Sequence, residues 1–108
     1  MKLTEETIRE AAGRVAAAAG SAAKVIVFGS YAKGEATENS DLDLMVVEKY
    51  IPDHTREYVR LREAVGVLGV GVDLLLYSEE EFEKRRQWWT TPAYWADREG
   101  KVLCESAH

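Results

Sequence analysis

The sequence predicts an α/β (α+β) fold: one domain over residues 1–108, with a mixed sheet of three or four strands and helices packed on one face. Three observations carry this. Two apolar runs, Val25–Phe28 and Leu42–Val47, flank a Gly-Ser turn and a short polar excursion, the pattern of two buried strands. A strand–helix–strand sequence follows, long enough for a right-handed crossover between parallel strands. Apolar residues make up 46% of the chain, enough to fill a core and too many for disorder.

The elements follow in order. Thr4 is the expected N-cap of a first helix, with Glu5 and Glu6 where the helix dipole favours negative charge. Ile8, Ala11, Ala12, Val15, Ala16 and Ala19 recur on one face, and Gly20-Ser21 ends the helix. Lys24–Phe28 reads as the first strand, closed by Gly29-Ser30. Tyr31–Lys33 starts a short helix broken at Gly34, and Glu35–Ser40 is polar turn sequence. Asp41–Val47 is the second strand, Glu48–His54 a loop, and Thr55–Leu68 a helix. Val70–Tyr77 is the third strand, parallel to the second. Ser78 and Glu81 form a capping box for a helix through about Arg86. Thr91-Pro92 opens another short helix, stopped by Gly100. Lys101–Cys104 is a last strand or an extended tail.

Charge and composition narrow the function. A net charge of −5 argues against unaided binding to a nucleic-acid backbone, which needs a basic footprint. The single cysteine, Cys104, permits no intramolecular disulfide and fits a reducing cytoplasm. The run Val15–Ala23 superficially resembles a signal-peptide core, but the acidic, helix-periodic flank before it is wrong for one. No apolar run approaches the roughly 20 residues of a membrane span.

The chemistry lies where charge interrupts the strands. Asp41 and Asp43 are two residues apart, so on a strand both carboxylates point one way while Leu42 and Leu44 point into the core. Adjacent carboxylates repel, and burying them is costly without a cation or hydrogen-bond donors. Asp73, in GVDLLLY, stands where the apolar pattern asks for a hydrophobe. With the second and third strands as parallel neighbours, Asp73 joins the pair at one end of the sheet. Three carboxylates make a hard oxygen site suited to Mg²⁺, and two such ions about 4 Å apart serve in-line displacement at phosphorus. Gly29 lets backbone approach a phosphate, Ser30 offers a hydroxyl and an N–H, and Lys33 offers a cation.

The pattern Gly29-Ser30-x-Ala32-x-Gly34, then Ser40-Asp41-x-Asp43-Leu44, then Asp73 downstream, resembles the DNA polymerase β-like nucleotidyltransferase superfamily. A chain this short is similar to its minimal nucleotidyltransferases, the antitoxin partners of HEPN-domain toxins. The resemblance covers residues 5–104 and is strongest over 25–47. It implies a palm-type fold, with Gly29, Ser30, Lys33 and Ser40 binding the nucleotide. It also implies that Asp41 and Asp43 ligate two Mg²⁺ ions, and that Asp73 ligates one of them and serves or helps as base. ATP would be the substrate and a tyrosine hydroxyl of the HEPN toxin the acceptor of AMP. Lys33 stands where the family often has Arg, keeping charge but not bidentate geometry. A non-catalytic antitoxin that masks its partner, and a transferase acting on a small molecule, are the alternatives. The second is disfavoured because 108 residues leave little room for an acceptor lobe, so a partner or a second subunit is expected to complete the site.

Blander readings stand beside these. Any one of the three acids alone would be a surface or capping acid, Ser30 alone a turn residue, and Lys33 equally a solvated charge. His54 reads as a solvated loop residue, His108 as a frayed terminus, Glu79–Glu83 as a solvated helix face and Cys104 as a packed thiol. Trp88, Trp89, Tyr94 and Trp95 either fill the core or, beside Arg85 and Arg86, form a docking surface for a partner.

Overall fold

Strand β1 (Ala23–Phe28) lies between β2 (Leu42–Glu48) and β4 (Lys101–Ser106) in a computed structural model that describes residues 2–107, so the expectation for His108 lies outside the described residues. β3 (Val72–Ser78) completes a four-stranded sheet in the order β3-β2-β1-β4. β1 pairs antiparallel with β2 and with β4, and β2 pairs parallel with β3. The sheet is therefore mixed, and Lys101–Ser106 is a paired strand rather than a tail.

The five helices among the described residues pack on both faces of the sheet, not on one as expected. Helix α1 (Glu5–Ala18) and α3 (His54–Val65) cover the face bearing Val25, Val27, Leu42, Leu44, Val46, Leu74 and Leu76. Ile8, Ala12, Val15 and Ala16 of α1 and Leu61 and Val65 of α3 are buried there, so removal of this apolar surface from water is the main force on that side. Helices α4 (Glu79–Arg85) and α5 (Pro92–Glu99) cover the other face, where Phe82, Ala93 and Ala96 meet Ile26, Met45 and Val47. This second layer rests on one large side chain and two alanines, a weak one-dimensional signal, which is why the pattern alone missed it. The remaining helix, α2 (Ser30–Lys33), is a single turn after β1.

Local chemistry explains most boundaries. The Thr4 hydroxyl accepts from Thr7 N at 3.1 Å, and Ser78 and Glu81 form the predicted capping box. Thr91 caps α5, with Pro92 in its first turn. Helix α3 starts earlier than expected, because the Asp53 carboxylate accepts from Arg56 N and takes the N-cap role. It ends earlier too, at Gly66, whose φ of 75° is left-handed backbone that favours glycine. His54 is exposed but not merely solvated: its Nε2 is 2.9 Å from the Leu76 carbonyl oxygen and ties α3 to β3. Among the described residues no helix is long and apolar enough to cross a membrane.

Glu48 is the largest departure from the expected pattern. The sequence placed it in a loop, but it is the last residue of β2 and only 1% exposed. Its Oε1 accepts from Ser21 N and Ser21 Oγ, both at 3.1 Å. Buried Glu57 of α3 faces it, accepting from Gly20 N at 2.8 Å and paired with Arg60. Burial and then Glu57 push the Glu48 carboxyl up to about 7. Burial acts on Glu57 in the same direction, but hydrogen bonds from Glu48, Gly20 and Arg60 hold it low, so a proton on the pair sits on the Glu48 side.

Candidate active site

The candidate site forms where β1 ends and β2 and β3 begin. Phe28, the last residue of β1, pairs with Asp43. Gly29 then turns the chain with φ 71° and ψ −151°, a region essentially closed to residues with a side chain. A Cβ added to Gly29 would stand 2.2 Å from Asp43 Oδ2. Glycine is thus required twice here, by the backbone and by the carboxylate lying against it. The Gly29 carbonyl accepts from Ala32 N and Lys33 N, which winds α2 and leaves Ser30 at its start.

Parallel register brings the second strand's acids to the third's. Asp43 pairs with Asp73, and Leu42 with Val72. Side chains alternate along a strand, so Asp43 and Asp73 leave the same face at adjacent positions, while Leu42 and Leu44 are fully buried on the other. The two carboxyls lie close enough to share a proton. Asp43 is partly buried, and its carboxyl is pushed up to about 6, first by burial, then by the Asp73 charge and hydrogen bond, then by Asp41. Asp41 is exposed and precedes the strand rather than lying in it. Leu42 N donates to the Gly71 carbonyl at 2.9 Å, which docks the Asp41–Leu42 step against the chain entering β3.

The other predicted residues are placed differently. Ser30 is half-buried beside Gly29, at the start of α2. Lys33 is exposed and forms a 3.4 Å ion pair with Glu99 at the C-terminal end of α5. The Ser40 hydroxyl accepts from Thr37 N at 2.8 Å, so it builds the turn that delivers Asp41. Sequence reasoning missed Glu99, whose role depends on α5 returning to this end of the sheet. It also gave Gly71 no role, although a glycine two residues before Asp73 was visible.

The acids do not form a closed cage. Among the described residues, no three His, Cys, Asp or Glu side chains converge closely enough to hold a metal ion by themselves. What stands here is a close carboxyl pair with a third carboxylate beside it, all oxygen donors, with the Asp43 carboxyl raised by burial first and then by the other two acids. That donor set fits Mg²⁺, which commonly takes one or two carboxylates and completes its shell with water and substrate phosphates. The same carboxylates could take up a proton from a hydroxyl brought beside them.

Comparison with known proteins places this geometry. The model of the nucleotidyltransferase domain family matches residues 8–94. The protein adenylyltransferase MntA of Thermococcus cleftensis is 43% identical over 53 residues, 48% of this chain and 52% of that one. MJ0604 of Methanocaldococcus jannaschii, provisionally named a protein adenylyltransferase, is 35% identical over 65 residues, 60% of this chain and 63% of that one. The chain thus spans between about half and two-thirds of the length of these curated relatives. Among solved structures, a toxin–antitoxin complex with AMP-PNP superposes with a TM-score of 0.65 at 22% identity, covering 94% of this chain and 73% of that one. A mutant MntA–HpeT toxin–antitoxin complex gives 0.64 at 20%, with the same coverage of both chains. At these identities the two structures show a shared fold.

Proposed function

The chain belongs to the nucleotidyltransferase domain family, and from that premise we propose that it transfers AMP from ATP to a hydroxyl of a partner protein. The acceptor is a tyrosine of a HEPN-domain toxin, which modification inactivates, making this chain its antitoxin. The observation that carries the reading is the Asp43–Asp73 pair at adjacent register, with Gly29 packed against Asp43. The curated relatives named protein adenylyltransferases, MntA among them, support the choice of acceptor class.

The residues divide the work as follows. Gly29 lets the triphosphate approach the backbone, and Ser30 donates its N–H and hydroxyl to phosphate oxygens. Lys33 leaves Glu99 to neutralise phosphate charge, and Ser40 holds the turn behind Asp41 against the nucleotide. Asp41, Asp43 and Asp73 would hold Mg²⁺, which supplies charge neutralisation at the triphosphate. Asp73 accepts the proton as the acceptor oxygen attacks the α-phosphorus. The new oxygen–phosphorus bond replaces the one to pyrophosphate, which leaves with both bonding electrons.

The test is to incubate chain, toxin, ATP and Mg²⁺ and weigh the toxin. A gain of one or more AMP units is expected, absent with the Asp41→Ala, Asp43→Ala double variant. No gain, with the toxin still neutralised by that variant, would sink transfer and leave masking as the function. Contact with the toxin is favoured by Trp88, Trp89 and Trp95, which are 62%, 69% and 45% exposed and so are not core fillers. The Trp95 indole donates to the Trp89 carbonyl oxygen at 2.8 Å, which joins them into one patch. Trp88→Ala with Trp89→Ala is expected to weaken toxin pull-down at least about tenfold, with the melting temperature nearly unchanged. Full pull-down would remove the patch from the interface.

A further inference from the structure

Asp43 is not the only carboxylate here that lies against a glycine. Gly71 stands two residues before Asp73, one step ahead of the Leu42–Val72 pair, and its carbonyl holds Leu42 N. A Cβ added to Gly71 would stand 2.4 Å from Asp41 Oδ1 and 2.9 Å from Asp41 Cγ. Unlike Gly29, Gly34, Gly66 and Gly69, Gly71 has no positive φ. Its backbone therefore accepts an alanine, and the space its missing side chain leaves is filled by the Asp41 carboxylate.

We propose that Gly71 is a positioning residue: its bare Cα seats the Asp41 carboxylate against the chain entering β3, on the side from which Asp43 and Asp73 present theirs. The proposal rests on the nucleotidyltransferase reading, in which Asp41 is a cation ligand. Asp41 is exposed and outside the strand, so β2 does little to orient it. The seat supplies the orientation. Any larger residue at 71 occupies that place and turns the carboxylate toward solvent, loosening the cation without touching it.

Gly71→Ala tests this, with Mn²⁺ as the probe and free Mn²⁺ read by its paramagnetic resonance. Mn²⁺ affinity is expected to fall about 10-fold or more, the effect of disturbing what orients a metal ligand. In the transfer assay kcat falls while KM for the protein acceptor holds. In an Asp41→Ala background the same change is expected to cost no further Mn²⁺ affinity, because the carboxylate it displaces is gone. Unchanged affinity in the single variant, or an equal loss in both backgrounds, would overturn the seat. If Gly71→Ala melts early, the double variant lacks the clash and is expected to melt normally; early melting there too would also overturn it. The two readings fail separately. A wild-type chain that binds Mn²⁺ in a Gly71-dependent way but transfers no AMP sinks only the transferase. A wild-type chain that transfers AMP and binds Mn²⁺ no better than Gly71→Ala sinks only the seat.

Discussion

Asp43→Asn is expected to cut the proposed AMP transfer at least about a hundredfold and, in the same variant, to raise the melting temperature of the metal-free chain at pH 7.5. Both effects follow from the carboxyl pair. The folded chain holds Asp43 near 6, above its ordinary 3.8, because burial, Asp73 and Asp41 all oppose its charge. The folded value is the higher one, so this group favours folding fully only below about pH 4. That contribution is lost as pH climbs through 6. At pH 7.5 the site is ionised and self-repelling. Asparagine keeps the shape and removes one charge. Allowing for solvent screening of a half-exposed group, the gain is on the order of 1 kcal/mol, about 4–8 °C for a domain of this size. Transfer should fall by roughly 10²–10³-fold or more, as when one preorganised charge-stabilising group is removed. Adding Mg²⁺ should raise the wild-type melting temperature and leave the variant's nearly unmoved. Calorimetry with and without Mg²⁺, beside the transfer assay, checks all three. A variant that melts lower, or transfers normally, would contradict the role of Asp43.

Glu48 gives the second large effect, at the far end of β2. Five residues of strand put it about 16 Å from Asp43. Glu48→Ala leaves Ser21 N without its acceptor, while Ser21 Oγ keeps the Tyr50 carbonyl; it also strips Glu57 of its proton donor and opens a cavity. The cost is roughly 3 kcal/mol or more, a fall in melting temperature on the order of 15 °C. Glu48→Gln behaves differently. Its amide oxygen still accepts from Ser21, and its amide N–H donates to Glu57 without needing a proton from solvent. Wild-type Glu48 is raised from 4.5 to about 7, so its share of stability is complete below about pH 4.5 and is lost as pH rises through 7. Glu57 is lowered, so its share is present above 4.5 and is lost as pH falls. The pair is therefore at its best near pH 4.5, and its contribution falls from there to about pH 7. Wild-type melting temperature should decline from pH 5 to 7, and Glu48→Gln should flatten that decline. Equal slopes in the two proteins would show that the pair carries no proton.

The contrast between these two acids marks what could be read from the residues. Asp41, Asp43 and Asp73 interrupt apolar runs next to a Gly-Ser turn, so alternation, crossover geometry and charge all converged on one end of the sheet. Glu48 also ends an apolar run, but a charge at a strand end ordinarily marks the exit to solvent, and nothing local shows that Ser21 and Glu57 fold over it. Such partners come from elsewhere in the chain, as Glu99 does for Lys33. Helices α4 and α5 were legible as helices through Ser78, Glu81, Thr91 and Pro92, but not as a second layer. With Trp88, Trp89 and Trp95 outside and only Phe82, Ala93 and Ala96 inside, their apolar weight points away from the face they cover. Gly71 escaped because a glycine at a strand entrance usually needs no explanation beyond the turn before it.

The sheet order has a consequence for how the molecule comes apart. β1 and β2 join through a local turn, and β3 follows one crossover later, so the candidate site depends on neighbouring stretches of chain. β4 reaches β1 only from far along the sequence, with a register shift near Val25, and its side chains are exposed or half-buried. Native-state hydrogen exchange should therefore open β4 before the other strands. Each opening bares the outer backbone of β1, a row of unpaired donors and acceptors that another extended chain can satisfy. The step that leaves the candidate site intact longest is thus also the one that invites aggregation.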